Sequence, residues 1–157
     1  MSEQVAACGH SEDRTTTTGA PDTVALVAHD AKKADLLAWA ARHKEALRGC
    51  RLVATRTTGD LLAHQLGMDV ERVASGPMGG DQQIGAMIVE ERIALLVFFT
   101  DPLGTQPHES DVRALHRLAV VHDVPLASNP ASADVLLADA CHRMAAPVLA
   151  EAGAGGA

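Results

Sequence analysis

The residues best suited to chemistry in this chain are Asp81, His108, Asp111, His29, Asp30 and Asp101. Asp81 lies within SGPMGGDQQIGAMI, residues 75–88, where four glycines and a proline surround a single carboxylate. A carboxylate next to glycines can come close to a small ligand because no side chain blocks the approach, and desolvation there makes it a useful base. The competing reading is a helix N-cap, the ordinary use of Asp ahead of a helix. His108 and Asp111 stand three residues apart at a predicted helix start, a spacing that lets them orient one another. The plainer alternative is a surface histidine beside a helix-starting acid. His43, His64, His116, His122 and His142 have no comparable setting and are read as solvated or packing residues.

Two further segments have the character of phosphate cradles. TRTTG presents Thr55, Thr57 and Thr58 around Arg56 at a helix start, and Ser75 with Gly76 permits close backbone approach. Lys33 adds a point charge from the first turns of another helix. The same residue types also favour helix starts for capping reasons alone, so the reading rests on several such segments sharing one edge. Neither GxGxxG nor GxxxxGK[ST] occurs, so no dinucleotide or nucleoside triphosphate is indicated. Eight histidines invite a metal, but there is no HExxH. His29 and Asp30 are adjacent, a spacing that points their side chains apart, and a His108, Asp111 and Asp30 set is only weakly signalled. The expectation is no metal and no cofactor.

The elements that must position these residues alternate between strand and helix. TVALVA (23–28), RLVAT (51–55), IALLVFFT (93–100) and VPLAS (124–128) read as strands, and VERVA (70–74) as a further short one. Helices are predicted in DAKKADLLAWAARH, with Asp30 in capping position and Leu37, Ala40 and Ala41 on one face, and in TGDLLAHQLG, ended by Gly67. A further helix is predicted in SDVRALHRLAVVHD, with Ser110 as N-cap and Val112, Leu115, Ala119 and His122 on one stripe. This alternation predicts an α/β fold: a Rossmann-like, doubly wound, mainly parallel sheet flanked by helices. The turns after the strands then gather at the carboxyl edge, bringing AHDAKK, TRTTGD, SGPMGGDQQ and DPLGTQPHESD together.

At 157 residues and 47% hydrophobic content the chain supports one ordinary core, predicted over 23–150. A solvated tail is expected over 1–22 and a flexible one over 151–157. A net charge of -7, three aromatic residues and no tyrosine argue against a nucleic-acid groove. No apolar run approaches the roughly 18 residues of a membrane span. The three cysteines form no pairing motif, so a reducing, cytoplasmic setting is expected.

With these residues in place, the chain resembles the methylglyoxal synthase family. The matching segments are VALVAHDAKK, ATRTTG, SGPMGGDQQIGAMI, FFTDPLGTQPHESDVRAL and VPLASNPASAD, in that order over most of residues 24–134. The resemblance implies conversion of dihydroxyacetone phosphate to methylglyoxal and inorganic phosphate, without cofactor, on a Rossmann-like sheet assembled as a homohexamer. It implies Asp81 as the base and His108 as the group that polarises the carbonyl and handles the enediol proton. By the same resemblance His29, Lys33, Thr55 to Thr58, Ser75 and Gly76 line the substrate and phosphate site, Asp111 joins the catalytic set by supporting the histidine, and Asp30 supports the ionic network; Asp101 is expected to support the site as well. Two departures stand out. Arg56 occupies a position where a small residue would leave more room, and neither Arg143 nor Arg117 can simply be assigned the task of the basic residue by which family members reach a neighbouring subunit.

A second reading is a non-catalytic ligand-sensing domain, since the fold also resembles the regulatory domain of carbamoyl phosphate synthetase. Retention of both Asp81 and His108 separates the two, because a sensor needs an anion cradle but no base. A phospho-acceptor module built on Asp101 fits less well. The acidic pair expected after its first strand is here His29 and Asp30, and the lysine after its last strand is missing from VPLASNPAS.

Overall fold

The computed structural model describes residues 19–153, with side chains to residue 145. Most of the expected N-terminal tail, residues 1–18, and residues 154–157 of the expected C-terminal one lie outside that range. Five strands, β1 (Thr23–Ala28), β2 (Arg51–Thr55), β3 (Glu71–Val73), β4 (Ile93–Phe99) and β5 (Leu126–Ala127), form one sheet in the order β3-β2-β1-β4-β5. Every pairing is parallel. β1 and β4 are buried along their whole length, as expected of parallel strands covered on both faces, which read as unbroken apolar runs.

The pleat sends alternate residues into two cores. Val24, Leu26, Leu95, Val97 and Phe99 join α1 (Lys33–Arg42), α2 (Lys44–Arg48), α3 (Arg56–Leu66) and α6 (Pro130–Gly153) on one face. Ala25, Val27, Val53, Leu96 and Phe98 meet α4 (Gly80–Val89) and α5 (Glu109–Val121) on the other. This is the doubly wound α/β architecture the sequence predicts. A polar tie crosses the first face, where the Trp39 indole N–H donates to Asp134 at 3.0 Å and His43 Nε2 lies 2.7 Å from the same oxygen.

Several local expectations are corrected. The buried face of α1 is Leu36, Trp39 and Ala40, while Ala41 is exposed. Asp30 does not cap α1; a 3-10 turn over Asp30–Lys32 intervenes. α5 begins at Glu109 with His108 as its N-cap residue, so Ser110 lies inside the helix, and His122 follows its end. The edge strands are shorter than predicted because each pairs on one side only, β5 through Leu96↔Leu126 and Val97↔Ala127. Residues 130–153 form one helix that extends into the segment expected as a tail.

Candidate active site

The strand order creates the site. From β1 the chain winds to β2 and β3 on one side, then returns past β1 to β4 and β5 on the other. The turns leaving β1 and β4 therefore diverge, and the crevice between them is where open α/β sheets bind ligands. His29 follows β1 and the loop to His108 follows β4, while the helix start after β2 and the turn after β3 flank them.

Asp81 is only 2% exposed, yet neither carboxylate oxygen has a hydrogen-bond partner among the described residues. Buried carboxylates are ordinarily hydrogen-bonded, so this one is kept available for something else. It is the second residue of α4, and the N-cap position belongs to Gly79, so the capping role open to it in the sequence is not the one it takes. The positive end of the helix favours its charge. Burial nevertheless pushes its carboxyl above the usual range, with His108 pulling it down and Asp111 adding to the rise. His108 Nε2 stands 3.8 Å from Asp81 Oδ2, too far for a hydrogen bond but close enough for strong coupling.

The glycines explain how that carboxylate comes to be there. Gly79 turns the chain at φ 104°, in the left-handed region, and a Cβ on Gly80 would overlap the Ala74 carbonyl. At Gly76 a Cβ would lie 3.0 Å from His108 Nε2 and 3.6 Å from Asp81 Oδ1. The backbone of the Ser75–Gly76 turn thus forms a wall of the space shared by the acid and the imidazole.

His29 is buried, and its Nδ1 accepts the Asp101 backbone N–H at 2.9 Å. An amide can only donate, so Nδ1 is unprotonated and the neutral ring carries its proton on Nε2. That Nε2 is buried without a partner among the described residues. Burial, then the proximity of His108, holds the ring below its ordinary range, which keeps it neutral. Phe98 meets the ring edge-on at 5.2 Å, and the His108 ring lies 6.2 Å away.

On the β2 side, Thr55 and Thr58 are buried and the Thr55 hydroxyl donates weakly to Thr58 Oγ1 at 3.4 Å. Neither hydroxyl caps α3, so its first-turn amides remain open. Thr57 and Arg56 are exposed in that turn, and Arg56 has no ion pair among the described residues. Ser75 accepts the Met78 and Gly80 N–H groups on its carbonyl. Lys33 is engaged within its own chain, donating to the Ala28 carbonyl at 2.8 Å and pairing with Asp30 at 3.0 Å. The Lys33 hydrogen bond holds the Asp30 carboxyl below its usual range.

Asp111 does not meet the His108 ring as their spacing allows. It makes no side-chain bond to His108, whose Nδ1 is buried and has no partner among the described residues; the link runs from the Asp111 N–H to the His108 carbonyl at 3.0 Å. Asp101 closes its own loop by accepting the Leu103 N–H at 3.1 Å. The weakly signalled metal set of His108, Asp111 and Asp30 is not assembled, and no group of three or more His, Cys, Asp or Glu capable of holding a metal ion occurs among the described residues. A cavity of about 580 Å³ opens at the opposite edge, lined in part by Lys44, Arg48, Arg51 and Arg92 and by none of the candidate site residues. Sequence reasoning missed two contributions, the Asp101 backbone that sets the His29 tautomer and the packing of Phe98. Neither has a local signal, because both depend on the meeting of β1 with the end of β4.

Known proteins of one family resemble this chain over most of its length. Residues 35–128 match the family model described as MGS-like domain. The chain is 51% identical over 118 residues to a methylglyoxal synthase of Cellvibrio japonicus, covering 75% of this chain and 77% of the relative. It is 54% identical over 115 residues to one of Hahella chejuensis, covering 73% and 75% respectively. The crystal structure of methylglyoxal synthase from Elizabethkingia anophelis superposes with a TM-score of 0.71 at 50% identity, covering 74% of this chain and 77% of that one.

Proposed function

This chain belongs to the methylglyoxal synthase family, and on that premise we propose that it is a lyase that breaks a carbon–oxygen bond to phosphate, converting dihydroxyacetone phosphate to methylglyoxal and inorganic phosphate. The observation that carries the reading is Asp81, buried with both oxygens uncommitted beside His108. A sensing domain has no use for such a group.

In the proposed reaction Asp81 takes a proton from the hydroxymethyl carbon of the substrate. Removal is feasible only if the developing oxyanion is stabilised, and the His29 Nε2–H and the His108 ring are the donors within the crevice. The C–H bonding pair becomes the enediolate double bond. His108 delivers a proton to the oxyanion and then takes the terminal hydroxyl proton, which turns that carbon into an aldehyde as the double bond shifts and the carbon–oxygen bond to phosphate breaks with its electron pair leaving on phosphate. The resulting enol ketonises to methylglyoxal. Expulsion requires the scissile bond to stand roughly perpendicular to the enediolate plane, so the amides of α3, Thr55, Thr58 and the Ser75–Gly76 turn set geometry as well as affinity. Asp111 raises the basicity of Asp81, Asp30 fixes Lys33 near the phosphate, and Asp101 orients His29. Arg56 and Thr57 sit at the open rim, suited to drawing in the dianion.

We further propose a homohexamer, in keeping with the exposed Leu103 and Met78 beside the site, and a cytoplasmic location. Among the described residues no helix is long and apolar enough to cross a membrane. The test of the main reading is incubation of the purified protein with dihydroxyacetone phosphate. Methylglyoxal and phosphate released in equal amounts support it; binding without product formation restores the sensing alternative.

A further inference from the structure

The Ser75–Gly76 turn follows a three-residue edge strand, and so short a strand does little to fix the turn that leaves it. Something else must hold it beside Asp81 and His108. The N–H of Ala74, the residue between β3 and the turn, donates to the side-chain carbonyl Oε1 of Gln83 at 2.7 Å. Gln83 lies on α4, two residues after Asp81 and in the same turn of helix. The Ala74 carbonyl meanwhile rests against Gly80, where a Cβ would overlap it, and the Gly80 N–H donates to the Ser75 carbonyl at 2.9 Å. Both polar groups of Ala74 are therefore referred to the first turns of the helix that carries the carboxylate.

We propose that Gln83 is a positioning residue that fixes the Ser75–Gly76 turn relative to Asp81, so that the wall facing the ligand and the carboxylate move as one unit. Gly80 supplies close contact but no direction, since its hydrogen atoms can slide against the Ala74 carbonyl. The Gln83 bond supplies the direction. Without it the turn still closes through Met78 and Gly80, so the fold persists, while the Gly76 backbone shifts against His108 Nε2 and Asp81. The inference rests on the proposed reaction for its kinetic consequences but not for its binding consequence.

The test is Gln83→Met, which keeps the length of the side chain and removes the acceptor, with Gln82→Met as the same change one residue away. Inorganic phosphate binding is measured by calorimetry, Ala74 amide exchange by mass spectrometry or NMR, and turnover of dihydroxyacetone phosphate alongside. Gln83→Met is expected to weaken phosphate binding and raise KM by roughly three- to tenfold, the range of a single neutral hydrogen bond, with a smaller effect on kcat. Ala74 exchange should accelerate while the melting temperature stays near that of the unaltered protein. Unchanged phosphate binding, or an equal loss in Gln82→Met, overturns the proposal. Failure of the unaltered protein to turn over the substrate would instead remove the reaction and leave the phosphate comparison to stand by itself.

Discussion

The ring of His29 is set by the backbone of Asp101, whose N–H donates to Nδ1 at 2.9 Å and so places the ring proton on Nε2, buried without a partner among the described residues. A residue 72 positions away thereby determines which hydrogen bond this histidine can offer a ligand. The ring should be neutral at neutral pH, since burial and His108 hold it below 6.5. Nitrogen-15 NMR of the labelled protein should show Nδ1 unprotonated and Nε2 protonated. His29→Asn should lower kcat by roughly 10²-fold, the usual consequence of losing one donor to a developing oxyanion.

Asp81→Asn should make the protein more stable. A carboxyl whose pKa is raised by folding stabilises the folded state fully below the unfolded value of 3.8, and that contribution is lost as pH rises through the folded pKa. Near neutral pH the ionised, unpaired side chain is therefore a liability that the amide removes. The expected gain in melting temperature is about 2–4 °C, equivalent to ~1 kcal/mol in a chain of this size. A lowered melting temperature at neutral pH would mean that the helix end and His108 stabilise the carboxylate by more than its burial costs.

Gly76→Ala and Gly80→Ala should fail in different ways. At Gly80 the added methyl overlaps the Ala74 carbonyl, which is backbone and cannot swing aside. The expected loss is about 1–3 kcal/mol or more of stability, seen as a lowered denaturant midpoint. At Gly76 the methyl enters the space between His108 Nε2 and Asp81, so the protein should melt normally but bind phosphate and substrate poorly. Normal activity in Gly76→Ala would show that the ligand does not use this wall.

His116 illustrates a half-buried group outside the proposed chemistry. Its Nε2 is buried without a partner among the described residues, the ring packs edge-on against Phe98 at 5.5 Å, and burial lowers its pKa. A histidine held below its unfolded value of 6.5 leaves stability intact above that pH and reduces it as pH falls further, because the unfolded chain takes up the proton more readily. His116→Leu should flatten the loss of melting temperature between neutral and mildly acidic pH. An unchanged acid limb would assign that loss to other groups.

The fold was legible because its signals are local and repeated. Unbroken apolar runs marked β1 and β4, and Gly67, in the left-handed conformation at φ 62°, ended α3 as expected. Convergence of the four turns followed from the alternation of strand and helix, and the structure brings Asp81, His108, His29, Gly76 and the Thr55–Thr58 turn to one edge. What could not be read was direction. Asp81 stands at the second helical position because Gly79 caps the helix, a choice that requires a positive φ. His108 and Asp111 are joined through the backbone, although their spacing equally allowed a side-chain bond. The capping roles expected of Asp30 and Ser110 fell to neighbours, since several polar residues crowd each helix start and propensity does not rank them.

The most direct test compares the unaltered protein with Asp81→Asn for turnover of dihydroxyacetone phosphate and for binding of inorganic phosphate. The account predicts that kcat falls by at least the ~10²–10⁴-fold attributed to a positioned general base, with phosphate binding preserved. A substituted protein that still forms methylglyoxal within about tenfold of the original rate would contradict it, because the proton would then be leaving to another group.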